Sequence, residues 1–452
     1  MNIEGANVLV VGLARSGLGA IELLHAKGAR VTATDQKPLE LLGPPAARLK
    51  DWGVPFQLQA PDVFEGRDLV VVSPGVPWDL DELEHARQAG IRVIGEVELA
   101  GWFLEGRSIG ITGSNGKTTT TALVGHVLRH TGVPAQVGGN IGTIPATDMV
   151  MSSRPQQWNV LELSSFQLES IERFRAHVGV ALNVTPDHLD RHHTMEAYAA
   201  AKGRLFTTQQ PEDYAVLNAD DPACVSYSAL TRGRTLWFSL TRPVTPGLWL
   251  EGGRLWFDGE PLMDAGAVPL RGRHNLENVM AAVAACRLAG APIAGIAEAI
   301  RCFPGVEHRL QHVRCVGGVD YFNDSKATNT DATLKALEAF PGRLWVILGG
   351  KDKDSDYTVL RRPLADKAHA AMLIGAAAGK IATQLGASAR LIQCGTLENA
   401  VLTAHREATP GDTVLLAPAC ASFDQFDNFE HRGMVFQELV KGLAEKSAEN
   451  AQ

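Results

Sequence analysis

The chain has 452 residues, too many for one ordinary hydrophobic core, so two or three domains are expected. Its 45% hydrophobic and 20% charged residues are those of a soluble globular protein; no apolar run reaches membrane-span length, and the N-terminus lacks a signal-peptide pattern. A net charge of −8 argues against general nucleic-acid binding, and six dispersed cysteines without a Cys-x-x-Cys pair argue against disulfide or metal use and fit a reducing cytoplasm.

Asn7 to Gly12 reads as a continuous apolar strand that runs into the turn Gly12-Leu-Ala14-Arg15-Ser16-Gly17. A helix from Leu18 to Lys27 and a second strand ending at Asp35 complete a βαβ unit of a doubly wound sheet. A dinucleotide site is one reading, with Asp35 on a ribose hydroxyl. Ala14 replaces the central glycine of that fingerprint, however, so a nucleotide-like turn of unspecified ligand is the other. A further apolar strand, Asp68 to Val72, ends in Ser73-Pro74-Gly75, which is either a simple turn or part of the same crevice. Ile91 to Ile94 and a helix from Glu96 to Phe103 close this first domain.

The next stretch is Gly110-Ile-Thr-Gly113-Ser-Asn115-Gly116-Lys117-Thr118-Thr119, with an apolar helix expected from Thr120 to Arg129. Glycines let backbone N–H groups approach an anion, the helix start adds its dipole, the lysine neutralises phosphate charge, and the hydroxyl suits Mg²⁺. Five residues separate Gly110 from Gly116, where the common phosphate loop has four. Gly138 to Gly142, around Asn140, is another backbone-exposing turn. Glu162 emerges from the apolar strand Trp158 to Ser165, and a carboxylate there is costly to bury without a cation. The strand from Val178 to Asn183 leads into Asp187-His188-Leu-Asp190-Arg-His192-His193. Its spacing matches no zinc motif, so His188 is read as a residue near Mg²⁺ and His192 and His193 as polar loop residues. Spacing alone makes Lys202, on a helix from Met195 to Phe206, an ordinary surface lysine. Thr235 to Pro269 carries hairpin signals, and Asn275 and Asn278 share one helical face.

A boundary is expected near Cys302 to Gly305. Beyond it, strands at Val319, Leu344, Ala371, Leu391 and Thr413 alternate with helices, giving another parallel α/β sheet. Its strand ends carry Asn323-Asp324-Ser-Lys326-Ala-Thr328, Lys351-Asp-Lys353 and Ser422-Phe423: either solvated loop ends or a seat for a small carboxylate. The polar tail after Leu443 is expected to fray.

Taken in order, Gly-Ile-Thr-Gly-Ser-Asn-Gly-Lys-Thr, Gly-Gly-Asn-Ile-Gly, Leu-Glu-Leu-Ser-Ser-Phe-Gln-Leu, Asn-Val-Thr-Pro-Asp-His-Leu-Asp-Arg-His and Ala-Lys202 resemble the Mur ligase family, whose own phosphate loop has the longer glycine spacing. The resemblance spans essentially the whole chain. It implies three α/β domains: an N-terminal Rossmann-like domain at 1–97 for UDP, a central phosphate-loop ATPase-like domain with a mostly parallel sheet at 98–302, and a C-terminal Rossmann-like domain at 303–452 for the amino acid. The implied reaction is ATP-dependent amide formation through an acyl phosphate, adding D-glutamate to UDP-N-acetylmuramoyl-L-alanine in cell-wall precursor synthesis. Asn-Asp-Ser-Lys-Ala-Thr-Asn is the motif of the D-glutamate-adding branch, and the Asp-Asn-Pro-Arg motif of the diaminopimelate- or lysine-adding branch is absent.

By the same resemblance, Lys117, His188 and Lys202 are catalytic, and Thr118, Glu162, His188 and a carbamylated Lys202 hold two Mg²⁺ ions. ATP falls to Gly113, Asn115, Gly116, Lys117, Thr118, Thr119, Asn278, Arg309, Asp324 and Lys326. The UDP substrate falls to Arg15, Ser16, Asp35, Ser73, Gly75, Asn140 and His188, and D-glutamate to Thr328, Lys353, Ser422 and Phe429. The expected partners are these small molecules, without nucleic acid or membrane, on a cytoplasmic monomer. An NAD-dependent oxidoreductase and a non-catalytic nucleotide sensor remain open from the motifs alone, as do folylpolyglutamate synthase and an L-glutamate-adding enzyme within the ligases.

Overall fold

The structure, a computed structural model, describes residues 3–142 and 144–444, apart from the Asp190 side chain; most of the polar tail after Leu443 lies outside the described residues. The chain forms two compact units, Met1–Pro269 with His274–Phe303, and Leu270–Arg273 with Pro304–Gln452. The first unit carries two sheets and the second carries one, so the architecture is the expected three-domain α/β type. No helix among the described residues is long and apolar enough to cross a membrane.

The first sheet is all parallel, in the order β3-β2-β1-β4-β5: β1 (Asn7–Val11), β2 (Arg30–Asp35), β3 (Phe56–Leu58), β4 (Leu69–Val72) and β5 (Arg92–Gly95). Continuous apolar runs in β1 and β4 suit strands buried on both faces, and Val8 to Val11 and Val70 to Val72 are buried. The strand order reverses between β1 and β4, so the turns that follow these two strands open a crevice.

The second sheet holds nine strands, in the order β14-β13-β12-β11-β10-β9-β6-β8-β7. They are β6 (Arg107–Thr112), β7 (Ala135–Gly139), β8 (Trp158–Glu162), β9 (Val178–Ala181), β10 (Tyr214–Asn218), β11 (Arg234–Ser239), β12 (Gly247–Glu251), β13 (Arg254–Phe257) and β14 (Glu260–Asp264). The strands from β7 to β12 pair in parallel, whereas β12, β13 and β14 form the expected antiparallel hairpins. The two sheets join through helix packing. Helix Arg15–Ala26 lies against Ala146–Val150 so closely that a Cβ on Gly19 would sit 2.5 Å from an Asp148 carboxylate oxygen. Buried Glu96 accepts hydrogen bonds from the Thr147 backbone and hydroxyl at 2.7 and 3.0 Å across the same seam.

The second unit carries a six-stranded sheet in the order β15-β16-β20-β17-β18-β19: β15 (Gln311–Val316), β16 (Val319–Asn323), β17 (Leu344–Gly349), β18 (Ala368–Ile374), β19 (Leu391–Gly395) and β20 (Thr413–Leu416). The parallel pattern holds from β16 to β19. However, β15, which the sequence reading left without a strand, pairs antiparallel on the edge. Its alternating half-exposed residues carry no continuous apolar run, which is why it escapes a search for buried strands. Leu270–Arg273 belongs to this unit, with the Arg271 guanidinium 4.7 Å from the Phe322 ring centroid.

Candidate active site

The register of the second sheet brings the chemistry to one edge. Parallel pairing sets Ile111 beside Glu162 and Thr112 beside Ala181, so the carboxyl ends of β6, β8 and β9 lie together. The phosphate-type loop leaves β6 here. Its helix starts at Lys117, three residues before the expected Thr120, because Gly116 takes the left-handed conformation (φ 85°) needed to turn the chain into the helix. A Cβ on Gly116 would meet the Asn278 side-chain oxygen at 2.1 Å, so Asn278 closes directly on the loop. Asn278 also donates to Asn275 at 2.9 Å, and both are buried members of helix Arg273–Leu288.

The loop is held rigidly from β9. The Ser114 amide donates to Asn183 O (2.9 Å), the Asn115 amide to the Asn183 side-chain oxygen (2.8 Å), and the Ser114 hydroxyl reaches Thr185 O and the Tyr198 hydroxyl. Lys117 Nζ lies 2.8 Å from Gly113 O and 2.9 Å from Ser114 O. Thr118 and Thr119 are buried in the first turn of the helix.

Lys202 is not a surface residue. It is 1% exposed, donates to Gly113 O at 2.9 Å and lies 4.4 Å over the Tyr198 ring. Burial, reinforced by the nearby Lys117 charge, drives its pKa well below the usual lysine value. Spacing alone could not reveal this, because the surrounding alanines read as solvent-tolerant helix.

Glu162 is 2% exposed: one carboxylate oxygen accepts from the Asn140 amide at 2.9 Å, and the other is buried without a hydrogen-bond partner. A buried carboxylate oxygen of that kind suits a cation. His188 stands at φ 53° in the left-handed region, its half-exposed ring 4.8 Å from Phe166. His193 is exposed, as expected of a polar loop residue. His192 differs: it is buried, with its ring nitrogens 2.9 Å from the Ser165 hydroxyl and 3.1 Å from Glu169, because the helical turn Leu189–His192 folds it inward.

The crevice of the first sheet opens into a cavity of about 500 Å³ lined by Arg15, Ser16, Asp35, Ser73, Gly75 and Asn140, six of the seven residues expected to meet the UDP substrate. His188 is not among its lining residues. Here Asp35 accepts from the Leu13 amide (2.9 Å), Ser73 donates to Gly12 O (2.6 Å), and Arg15 bridges to Gly142 O (3.1 Å) on the central domain.

In the second unit, Asp324 is buried between the ends of β16 and β20 and accepts from the Leu310 amide at 3.2 Å. Burial, opposed by Arg309 and Lys326, pushes its pKa up to about 6. Lys326 lies 5.5 Å over the Phe429 ring, Ser422 is buried, Thr328 is half-buried, and Lys353 stands exposed on the loop after β17. Arg432, which the motif reading missed, is completely buried and donates to the Ser325 hydroxyl and carbonyl and to Cys420 O. It ties the Asp324–Lys326 loop to the Ser422 turn. Its signal was a charge three residues after Phe429 and four before Phe436, on the inward face of a helix.

Three mostly parallel sheets with a glycine-lysine loop at the carboxyl edge of the central one define a multidomain phosphate-loop α/β protein. Family models match along the chain: a Mur ligase MurD-like N-terminal domain over residues 6–95, a Mur ligase middle domain over 111–286 and a Mur ligase glutamate ligase domain over 308–420. The chain is 62% identical over 446 residues to the UDP-N-acetylmuramoylalanine--D-glutamate ligase of Solibacter usitatus, covering 99% of this chain and 100% of that one. It is 49% identical to the enzyme of the same name from Acidobacterium capsulatum, with 99% and 98% covered. Among solved structures, UDP-N-acetylmuramate-alanine ligase MurC from Thermotoga maritima shares the fold at a TM-score of 0.60 and 19% identity, over 96% of this chain and 99% of that one. The chain belongs to the Mur ligase family.

Proposed function

We propose that this protein joins D-glutamate to UDP-N-acetylmuramoyl-L-alanine at the expense of ATP, as a cytoplasmic monomer in peptidoglycan precursor synthesis. The observation that carries the chemistry is the gathering of Lys117, Glu162 and Lys202 around one phosphate-type loop. The particular substrates rest on the full-length likeness to relatives named for that reaction.

The three regions divide the work: 1–97 takes the UDP end, 98–302 takes ATP, and 303–452 takes the amino acid. Arg15, Ser16, Asp35, Ser73, Gly75 and Asn140 hold the nucleotide sugar. The loop amides of Gly113 to Thr119 cradle the phosphates and Asn278 faces the adenine; in the second unit, Arg309, Asp324 and Lys326 are the residues assigned to ATP. Thr328, Lys353, Ser422 and Phe429 orient D-glutamate.

Thr118, Glu162, His188 and Lys202 are the residues that would hold two Mg²⁺ ions, and the partnerless Glu162 oxygen fits such a role. Magnesium supplies charge neutralisation of the transferring phosphoryl group. Burial beside Lys117 disfavours the charged form of Lys202, and the neutral amine is the form that attacks CO₂; loss of an amine proton then leaves a carbamate, so that a metal-binding anion would stand where Lys117 crowds a cation.

The substrate carboxylate attacks the γ-phosphorus of ATP and ADP leaves, with Lys117 offsetting the developing charge. The amine of glutamate then attacks the acyl phosphate carbonyl, and phosphate departs from the tetrahedral intermediate. His188 positions rather than transfers protons.

Phosphate release measured with UDP-N-acetylmuramoyl-L-alanine, ATP and Mg²⁺ should depend on D-glutamate and fail with L-glutamate, L-alanine and diaminopimelate. Absence of D-glutamate-dependent turnover overturns the reading, and ATP binding without any substrate-dependent ADP release would mark a nucleotide sensor instead.

A further inference from the structure

We propose that His126, His130 and Cys302 form a binding site for a zinc-class divalent cation, separate from the nucleotide machinery. His126 and His130 lie one turn apart on helix Lys117–His130, with ring centroids 6.1 Å apart. Cys302 caps the end of helix Ile293–Arg301. Its sulfur lies 3.6 Å from His126 Nε2 and 3.9 Å from His130 Nδ1, and the three donor atoms all fall within 4.8 Å of one another. Tetrahedral zinc bonded to nitrogen and sulfur at its usual lengths sets those ligands about 3.6 Å apart, so the donors already stand near a coordination edge.

The chemistry selects the ion. Two imidazoles and a thiolate favour zinc over the hard, oxygen-seeking magnesium of a phosphate site. Both helices, of 14 and 9 residues, end at the cluster, so their carbonyl-end dipoles favour a cation. Nε2 of His126 also lies 3.0 Å from Ala299 O, a contact the ion must displace. Phe303 packs edge-on against His126, while His130 and Cys302 are exposed, leaving room for a water as fourth ligand.

His130 lies 13 residues along the helix from Lys117, or about 20 Å at the usual rise. An ion here therefore ties the far end of the phosphate-loop helix to the last helix of the first unit without entering the active site. The wide sequence separation of Cys302 from the histidines, 172 residues or more, is what hid the cluster from motif spacing.

The test uses the full-length protein in saturating Mg²⁺. Zn²⁺ is titrated against a chromophoric chelator, and Co²⁺ serves as a spectroscopic substitute. Wild type should take up one zinc equivalent, show a thiolate-to-cobalt charge-transfer band and unfold at a higher temperature with Zn²⁺. Cys302→Ala should lose the band and the thermal shift, and His130→Ala should bind zinc at least tenfold more weakly. Both positions are exposed, so circular dichroism should confirm that the variants fold; if one does not, the other carries the test. A wild-type protein without the band, or zinc affinity unchanged in both variants, overturns the proposal.

Discussion

Lys117 and Lys202 share one acceptor: their ammonium nitrogens lie 2.8 and 2.9 Å from the Gly113 carbonyl oxygen. Two cations on one oxygen, one of them almost fully buried, repel each other in a poorly screened setting. The arrangement is relieved if Lys202 loses its charge or reverses it. Replacing Lys202 by Ala should therefore leave the fold intact and lower activity by at least about 100-fold through loss of a metal-holding group. Short carboxylates such as formate or acetate should restore part of it. Near-wild-type turnover of Lys202→Ala would remove the carbamate from the mechanism.

The UDP cavity depends on glycine at position 17. A Cβ there would stand 1.9 Å from Gly12 O and 2.7 Å from the Ser73 hydroxyl, so Gly17→Ala must displace the backbone of the loop. The expected cost is about 1–3 kcal/mol of stability, with KM for the UDP substrate raised well above that for ATP. Steady-state kinetics with each substrate varied in turn will show whether the effect is confined in this way; an equal rise in both KM values contradicts it.

Glu96 gives the first unit a pH-dependent stability. Burial raises its pKa to about 7, so the folded state holds its proton more tightly than the unfolded chain does. Its stabilisation is complete below about pH 4.5 and is lost as pH rises through about 7, a change on the order of 3 kcal/mol. Asp324 acts in the same direction in the second unit, so the measurement is a comparison. Denaturant unfolding of wild type and Glu96→Gln at about pH 5 and about pH 8 should show the variant losing less stability on the alkaline side. Parallel pH profiles count against this assignment.

Arg432→Met should destabilise the second unit by about 2–3 kcal/mol, because it strands the Ser325 and Cys420 carbonyls that the guanidinium now satisfies. The loops carrying Lys326 and Ser422 lose their shared anchor, so KM for the amino acid should rise more than kcat falls. A variant as stable as wild type would show that packing alone holds these loops.

Much of this was legible in the amino-acid order. Continuous apolar runs marked β1, β4 and β8, and the glycine-rich turns that follow β1 and β6 marked Gly12 to Gly17 and Gly113 to Lys117. Periodicity could not find β15, whose residues are half-exposed, nor the burial of Lys202, His192 and Arg432. Those three are polar side chains drawn inside by partners distant in the chain: Gly113 for Lys202, Ser165 for His192, and Ser325 for Arg432. Local pattern carries no term for a partner supplied by another strand.

The cavity walled jointly by Arg15 and by Gly139, Asn140 and Gly142 has a bearing on modularity. A fragment ending at Gly101 would keep the whole first sheet yet forfeit one wall of its own binding cleft. Gene fusions or domain exchanges that break the chain after the first sheet must therefore carry the Gly139–Gly142 turn with them, or inherit a nucleotide fold with half a binding site.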